Sequence, residues 1–277
     1  MRPSPESLAE AERWVLAEPF RVRRGRVGDR LGTGTGSSME FQDHRAYVVG
    51  DDIRQVDWRA YGRSDQLLVR QYREEIAPRV DLFLDSSASM AVGLDKAALA
   101  VELPLLLWRA ARSAGMGVSA VALGDVAQRL SLEEVETRGV DLTARSPLVE
   151  TLSESGALLT NGSLRILISD LLFPHDPTVL CERLARGAGG FLVIQLLGQT
   201  DMELATLGGS VQALRLEDPE TGQKRDLILD DAARARYLKR LERQTAAVRE
   251  ALQLFGGSFL RVTGGKSLGA IARQDLV

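Results

Sequence analysis

From Val80 onward, short apolar runs alternate with segments of helical periodicity, and this alternation limits the fold more than any other feature of the sequence. The runs are VDLFL at 80–84, VSAVAL at 118–123, LRILIS at 164–169 and FLVIQLL at 191–197. Helical patterns lie between them, at 96–113, from Ser146 and from Asp176. Apolar strands that alternate with helices are typical of a mostly parallel sheet whose two faces are covered by helices. The sequence therefore predicts an α/β core.

The pattern also predicts two domains with a boundary after residue 79. Residues 1–79 are rich in glycine and arginine and predict a small segment with a helix near 5–17 and short strands at 46–49 and 66–72. Residues 80–277 predict the core, with an inserted hairpin near 211–230 where VQALRLED and RDLILD flank the turn ETGQ. A long amphipathic helix over 231–254 and a last strand, SFLRVT, follow the hairpin.

Composition excludes several classes of function. The chain has 277 residues, a net charge of -3 and a pI near 5.6, which give no reason to expect nucleic-acid binding. The arginine run at 21–30 is interpreted as a solvated arm, because no aromatic residue is interleaved with it. One cysteine, Cys181, excludes an internal disulfide, and with His44 and His175 it is too few for a zinc site. The most apolar stretch, at 99–115, contains Glu102 and Pro104, so we expect a buried helix and a cytoplasmic protein with no direct membrane insertion.

Polar side chains follow two of the predicted core strands. VDLFLDSSASM ends a strand with Asp85 and continues with Ser87 and Ser89, and Asp170 ends LRILISD. Ligands of open α/β sheets bind beyond the carboxyl ends of the strands, where the strand order reverses. If the two strands are neighbours, these oxygen donors converge, and such a set suits Mg²⁺ or Mn²⁺. The alternative is that Asp85 and the serines only cap the helix that follows.

Both segments resemble a known type of site. VDLFLDSSASM resembles the first strand and the metal-ion-dependent adhesion site of a von Willebrand factor A domain, and LRILISDLL resembles the strand with the later aspartate of that site. Residues 32–75 resemble the signature of the bacterial family called domain of unknown function fifty-eight, whose members carry this segment just before such a domain. The resemblance covers about residues 20–240 and is most specific at 40–63.

This resemblance implies a Rossmann-like von Willebrand A core in which Asp85, Ser87, Ser89 and Asp170 are direct or water-mediated ligands of the metal. Such domains usually add a threonine that precedes a middle helix. Two threonines lie in that interval, Thr137 and Thr143, and neither is in a recognisable motif. Members of the family are similar to proteins that accompany MoxR-type AAA+ ATPases as adaptors in the assembly or activation of other complexes. Many also carry two hydrophobic amino-terminal segments that are not seen here, so we expect membrane association only through a partner.

Other motifs indicate structure rather than chemistry. GTGTGSS at 32–38 lacks the lysine of a phosphate-binding loop and predicts a turn. VVGDDIRQVDW places three aspartates close together, and a second metal site or an acid/base pair is one interpretation; these residues are Asp51, Asp52 and Asp57. The other interpretation is a network with the nearby arginines that holds the first segment on the core, with apolar contact from two aromatic residues. Its members are Arg45, Arg54, Arg59, Trp58 and Tyr61. His44 is interpreted as structural, and His175 as a loop residue near the crevice.

Two functions remain open. The first is a non-enzymatic, metal-dependent adaptor: the bound ion keeps positive charge and an open position, which an acidic side chain of a protein partner completes. The second is a Mg²⁺-dependent phosphoesterase or phosphotransferase, with Asp85 as nucleophile or ligand. Against the enzyme, the sequence shows no lysine or arginine beside the metal loop and no base near Ser87 and Ser89. We therefore expect no catalytic residues.

Overall fold

The structure is a computed structural model, and it describes residues 2–14, 39–74, 78–158, 160–206 and 212–274. The described residues form two compact units. Residues 39–74 form the smaller unit, and residues 2–14 together with those from 78 onward form the larger one. The first helix thus belongs to the larger unit, where the backbone N–H of Ser4 donates to Glu102. The arginine run at 21–30 and the GTGTGSS segment at 32–38 lie outside the described residues.

Helices and strands are numbered in chain order. The helices are α1 Pro5–Ala11, α2 Trp58–Ser64, α3 Leu94–Ser113, α4 Leu132–Thr137, α5 Leu148–Glu154, α6 Pro177–Ala185, α7 Gln199–Thr206, α8 Asp231–Phe255 and α9 Leu268–Gln274. The strands are β1 Met39–Ala46, β2 Leu68–Glu74, β3 Arg79–Asp85, β4 Gly117–Leu123, β5 Ala127–Leu130, β6 Leu164–Ser169, β7 Gly190–Leu197, β8 Gln212–Glu217, β9 Lys224–Leu229 and β10 Ser258–Thr263. Strands β1 and β2 pair antiparallel in the smaller unit.

The larger unit is a mixed α/β structure built on a six-stranded, mainly parallel sheet, as predicted. The strand order is β10-β7-β6-β3-β4-β5, and only β5 is antiparallel to its neighbour. The chain leaves β3 to one side to form β4 and β5 and then returns to the other side to form β6. The strand order therefore reverses between β3 and β6, which is where ligands bind in such sheets.

The sheet is buried on both faces because its central strands are apolar at nearly every position. Leu82 and Leu84 of β3 belong to a core that includes α3, whereas Phe83 points to the opposite core, which includes α6 and α8. Side chains alternate between faces along a strand, so a run without polar residues requires cover on both sides. The helices supply that cover, and the carboxyl edge of the sheet is left for polar groups.

Most elements of the core agree with the sequence patterns. The helix predicted at 96–113 is α3, the run at 164–169 is β6, and the long helix predicted at 231–254 is α8. The predicted hairpin is β8 and β9, which form a two-stranded sheet of their own among the described residues. Three short helices, α4, α7 and α9, were not predicted, and α1 ends at Ala11 rather than near 17. Within the described residues, no helix combines the length and the apolar character needed to cross a membrane.

Candidate metal centre

Asp85 lies at the junction of β3 and β6, and the two strands are neighbours. Leu84 is paired with Ile168, which places Asp85 beside Ser169. The Ser169 hydroxyl donates to Asp85 Oδ2 at 2.6 Å, and the backbone N–H of Ser87 donates to Asp85 Oδ1 at 2.9 Å. Asp85 is fully buried. Strand pairing and these two hydrogen bonds therefore fix the carboxylate at the carboxyl edge of the sheet.

The loop after β3 brings two hydroxyls together. Ser87 Oγ and Ser89 Oγ are 2.9 Å apart, and a short 3₁₀ turn from Ala88 to Ala91 lies between the loop and α3. Met90 of this turn is buried in the core and anchors it. Gly93 follows with a φ of +83°, a conformation that favours glycine, and begins α3.

The capping alternative does not describe this loop. The N-cap of α3 is Gly93, which has no side chain to accept from the helix, and Ser87 makes no capping hydrogen bond to the 3₁₀ turn. The hydroxyls of Ser87 and Ser89 face each other instead of the free amides of a helix. Among these residues only Asp85 accepts from a backbone amide, that of Ser87.

Asp170 follows β6 and is also fully buried. Its Oδ1 accepts from the backbone N–H of Leu172 at 3.0 Å, and its Oδ2 accepts from Lys96 Nζ at 3.1 Å. The side-chain amide of Gln195, on β7, donates to the Asp170 carbonyl at 3.1 Å. Each of these bonds comes from a different element, so the position of Asp170 is set by β6, β7 and α3 together.

The sequence interpretation that no cation lies beside the loop was wrong. Lys96, in the first turn of α3, is 1% exposed and lies 3.1 Å from Asp170 Oδ2 and 3.0 Å from Asp201 Oδ2. Burial lowers the pKa of Lys96, but the charges of Asp170 and Asp201 outweigh it, so the pKa is raised and the ammonium stays charged. A lysine near a helix start is usually solvated, and nothing local in the sequence indicated that this one is buried.

The carboxylates are close enough to affect each other. Burial, with the charge of Asp170, raises the pKa of Asp85 to about 7, against the hydrogen bonds from Ser169 and Ser87. Burial, with the charges of Asp201 and Asp170, also raises the pKa of Tyr237 on α8 to about 12. Lys96 thus balances only part of the negative charge gathered at this edge.

A fourth acidic side chain, from the hairpin, lies near the site. Glu220, in the turn between β8 and β9, lies near Ser89 and Asp170. Burial, with the charges of Asp170 and Asp218, raises the pKa of Glu220, although nearby Ser89 opposes this rise. Glu220 lies more than 130 residues beyond Ser89 in the chain. No pattern near it in the sequence indicated this proximity.

The two candidate threonines differ in position. Thr137 ends α4, and its hydroxyl donates to the Glu133 carbonyl of the same helix. Thr143 is exposed and donates to Asp141, but it precedes Ala144, which pairs with Ser87 in an isolated parallel bridge. The loop of Thr143 therefore adjoins the metal loop, whereas the hydroxyl of Thr137 is engaged by its own helix.

The donor set fits a hard divalent cation. It consists of two buried carboxylates, on Asp85 and Asp170, and the facing hydroxyls of Ser87 and Ser89, all of which are oxygen donors. Each carboxylate oxygen of Asp85 and Asp170 accepts one of the hydrogen bonds described above and keeps a second lone pair. In the described ranges, no group of three or more histidine, cysteine, aspartate or glutamate side chains is arranged to hold a metal ion. A Zn²⁺ type of site is thus not seen there, and a site of Mg²⁺ type needs fewer charged ligands.

The acidic cluster of the smaller unit has structural partners. Arg45 donates two 2.6 Å hydrogen bonds to Asp51, and this contact lowers the pKa of Asp51 to about 2. Asp52 accepts from the backbone of Arg54, and Asp57 caps α2. These contacts favour the network interpretation over a second metal site; the clamp onto the core stays a prediction.

His44 and the two aromatic residues of this unit also have defined positions. His44 Nε2 lies 2.9 Å from Asp57 Oδ2. Trp58 and Tyr61 meet edge to face with ring centroids 6.3 Å apart, and both are exposed. The two rings therefore contact each other. The apolar contact with the core that was predicted for them stays a prediction.

A cavity of about 580 Å³ lies next to the site, between the loop after Asp170 and α8. His175 lines it together with Tyr237 and Arg240, and its place at the rim of the metal crevice stays a prediction. The His175 Nδ1–H donates to the Phe173 carbonyl at 2.8 Å, and burial lowers the pKa of the ring, so His175 is neutral at pH 7. It lies in the loop before α6, as predicted.

Similarity to known proteins agrees with the sequence resemblance at the level of the family. The chain is 25% identical over 249 residues to the uncharacterized proteins Rv1480 of Mycobacterium tuberculosis (strain ATCC 25618 / H37Rv) and Mb1516 of Mycobacterium bovis (strain ATCC BAA-935 / AF2122/97), which covers 84% of this chain and 77% of each relative. The family model described as protein of unknown function DUF58 matches residues 43–247, well over half of the chain. The chain therefore belongs to the DUF58 family.

Proposed function

We propose that this protein is a non-enzymatic, metal-dependent adaptor with a von Willebrand A-like core, in which Asp85, Ser87, Ser89 and Asp170 hold Mg²⁺ or Mn²⁺. The observation that supports it most is the convergence of two buried carboxylates and two facing hydroxyls at the point where the strand order reverses. An all-oxygen set with few carboxylates matches the ligands that Mg²⁺ prefers.

Such a site has a chemical reason to bind acidic partners. When bound, the divalent ion supplies positive charge and open coordination positions that a carboxylate of another protein can fill. Lys96 keeps the second carboxylate in place and adds one positive charge beneath the site. We further propose, on the family resemblance alone, that the partner or its client belongs to a MoxR-type AAA+ system.

The phosphoesterase alternative has less support. It requires a cation directed at the substrate, and Lys96, the cation found beside the site, is 1% exposed and paired with Asp170 and Asp201. Among the described residues, the hydroxyls of Ser87 and Ser89 bond to each other and to no histidine or lysine base. Hydrolysis of a phosphate ester by the wild type with Mg²⁺ or Mn²⁺, lost in Asp85→Asn, would reverse this ranking.

The test compares two aspartates of the same strand. Asp85 accepts from Ser169 Oγ at 2.6 Å and from a backbone N–H at 2.9 Å; Asp81, at the other end of β3, accepts from Ser163 Oγ at 2.6 Å and from a backbone N–H at 3.0 Å. Both are buried, so Asp85→Asn and Asp81→Asn disturb the fold in similar ways. Only Asp85 belongs to the proposed site.

We expect Mg²⁺ or Mn²⁺ at about a hundred times its dissociation constant to raise the melting temperature of the wild type and of Asp81→Asn by roughly 5–10 °C. Asp85→Asn should lose most of this rise, because the replacement amide has no negative charge. Differential scanning calorimetry with and without EDTA measures the shift. An equal rise in Asp85→Asn and the wild type would contradict the proposal.

A further inference from the structure

The cavity between the loop after Asp170 and α8 is lined by two arginines that have no ion-pair partner among the described residues. Arg240 and Arg243 are exposed residues of α8 that lie one helical turn apart, and neither makes a hydrogen bond with a described residue. None of the described residues that line the cavity is acidic, although the protein as a whole has a net charge of -3. The cavity therefore favours an anionic ligand.

Apolar side chains line the rest of the cavity and suit a ligand with an apolar body. Leu172, Phe173 and Leu241 line it, together with Pro174 and Pro177. Its volume of about 580 Å³ lies in the range of about 300–1,000 Å³ that is typical of small-molecule sites. Such sites are mostly apolar and contain a few polar groups that fix the orientation of the ligand. Size and lining together therefore favour a small molecule over an extended chain.

Tyr237 and His175 add one donor and one acceptor to the lining. The Tyr237 hydroxyl makes no hydrogen bond with a described residue and is a donor. The His175 ring donates through Nδ1, so its Nε2 is an acceptor, and this atom is buried without a hydrogen-bond partner in the part of the chain that the structure describes. Buried acceptors are usually satisfied, so this position favours a ligand that carries an N–H or O–H group.

The wall of the cavity is held in place by contacts within the protein. Gln244, on α8, donates to the carbonyls of Leu171 and Phe173. Leu171 has a φ of +57°, in the left-handed region that residues other than glycine rarely adopt, and its side chain is buried in the core that includes α6 and α8. A strained residue persists only where its surroundings fix it. The loop is therefore fixed, and the cavity is preformed.

We propose that this cavity binds a small organic anion, with the charged group of the ligand at Arg240 and Arg243 and its apolar body against Phe173 and Leu241. Guanidinium groups bind carboxylate and phosphate groups alike, so the inference assigns the charge of the ligand and not the identity of its charged group. It goes beyond the proposed function, because it requires no metal at the carboxyl edge of the sheet. The protein then has a second ligand, of a class different from a divalent cation.

The probe is anilinonaphthalene sulfonate, which joins an apolar ring system to one negative charge and carries an N–H group. Phenylnaphthylamine is its uncharged counterpart. Fluorescence titrations are made in EDTA, so that occupancy of the metal site does not affect the result. Arg240→Gln/Arg243→Gln should weaken binding of the sulfonate roughly five- to twentyfold and change binding of the uncharged compound less than about twofold. The matched control is Arg236→Gln/Lys239→Gln, which removes two exposed cations of α8 outside the cavity and should change neither affinity.

Filling the cavity gives a second readout. Ala247 lines the cavity and is exposed on α8, so Ala247→Trp should block binding of both compounds. Ala246→Trp, at an exposed position of the same helix outside the cavity, should leave both affinities unchanged.

Three results would overturn the inference. The first is a wild type that does not bind the sulfonate, and the second is a wild type that binds the charged and the uncharged compound equally well. The third is binding of the sulfonate by Arg240→Gln/Arg243→Gln or by Ala247→Trp with the affinity of the wild type. A wild type that binds the sulfonate as expected but gains no stability from Mg²⁺ would leave this inference standing and remove only the proposed function.

Discussion

A single ammonium group determines how much charge the candidate site carries. Asp85, Asp170 and Asp201 bring three carboxylates to one edge of the sheet, and Lys96 lies within 3.1 Å of two of them. Buried charges are tolerated when they are paired and hydrogen-bonded, and losing one partner is costly because the other remains uncompensated. Lys96 therefore acts as an internal counterion, and at the proposed metal site its charge would lower the affinity for a cation.

We expect Lys96→Met to lower the free energy of unfolding by about 3–5 kcal/mol, because it leaves Asp170 and Asp201 buried without their cation. In the double variant Lys96→Met/Asp201→Asn, part of this loss should be recovered. Urea denaturation measures both changes. Lys239→Met, which removes an exposed lysine of α8, should have almost no effect. Additive losses in the double variant would show that the two side chains do not interact.

The same replacement should strengthen metal binding. With the positive charge of Lys96 removed, the carboxylates are free to compensate a divalent ion instead, so the Mg²⁺-dependent rise in melting temperature should be larger in Lys96→Met than in the wild type. Calorimetry over a range of Mg²⁺ concentrations checks this. A smaller rise than in the wild type would mean that Lys96 positions Asp170 more than it repels the ion.

At the scale of elements, the strands that carry the site were predictable and their supporting groups were not. Runs of apolar residues that end in aspartate identified β3 and β6, because a fully buried strand must stop where the chain turns polar. The sequence analysis could only assume that β3 and β6 are neighbours, because strand order depends on segments that are far apart in the chain. Lys96 was missed for the same reason, because its partner Asp201 lies far along the chain. The capping box of Ser131 and Glu134 was a readable local signal for α4.

The contact of Arg45 with Asp51, in the turn after β1, predicts how the stability of the protein depends on pH. The hydrogen bonds from Arg45 and from the backbone of Val48 depress the pKa of Asp51 to about 2. A depressed carboxylate stabilises the fold above its unfolded pKa and loses that contribution as the pH falls through its folded pKa. The difference in stability between the wild type and Asp51→Asn should therefore be constant above about pH 4 and shrink towards pH 2. Carboxyl NMR should show the midpoint of Asp51 rising in Arg45→Gln.

At the scale of the whole molecule, the larger unit brings distant parts of the chain into one core. Helix α1 and helix α9 both pack on α3, and β10 joins the sheet only after the 25-residue helix α8. The sequence predicted the α/β class from local periodicity, but the membership of α1 depends on contacts that periodicity does not report. The unit should therefore unfold as one cooperative body.

Cys181 is a probe of that cooperativity. It lies on α6, is fully buried in the core, and its burial raises the pKa of the thiol to about 11. We expect the native protein to react with a thiol-specific reagent at least about a hundredfold more slowly than the urea-denatured chain, because the thiolate is both rare and shielded. Rapid labelling in native buffer would show that α6 opens without global unfolding.

The pairing of Lys96 with Asp170 and Asp201 has a consequence for how the protein is produced. Because an ammonium group already joins α3 to the loop after β6 and to α7, we expect a newly synthesised chain to mature without capturing an ion. We expect a cell starved of magnesium to accumulate intact, protease-resistant protein. The supply of magnesium would then determine when the proposed site is active, and not how much folded protein the cell contains.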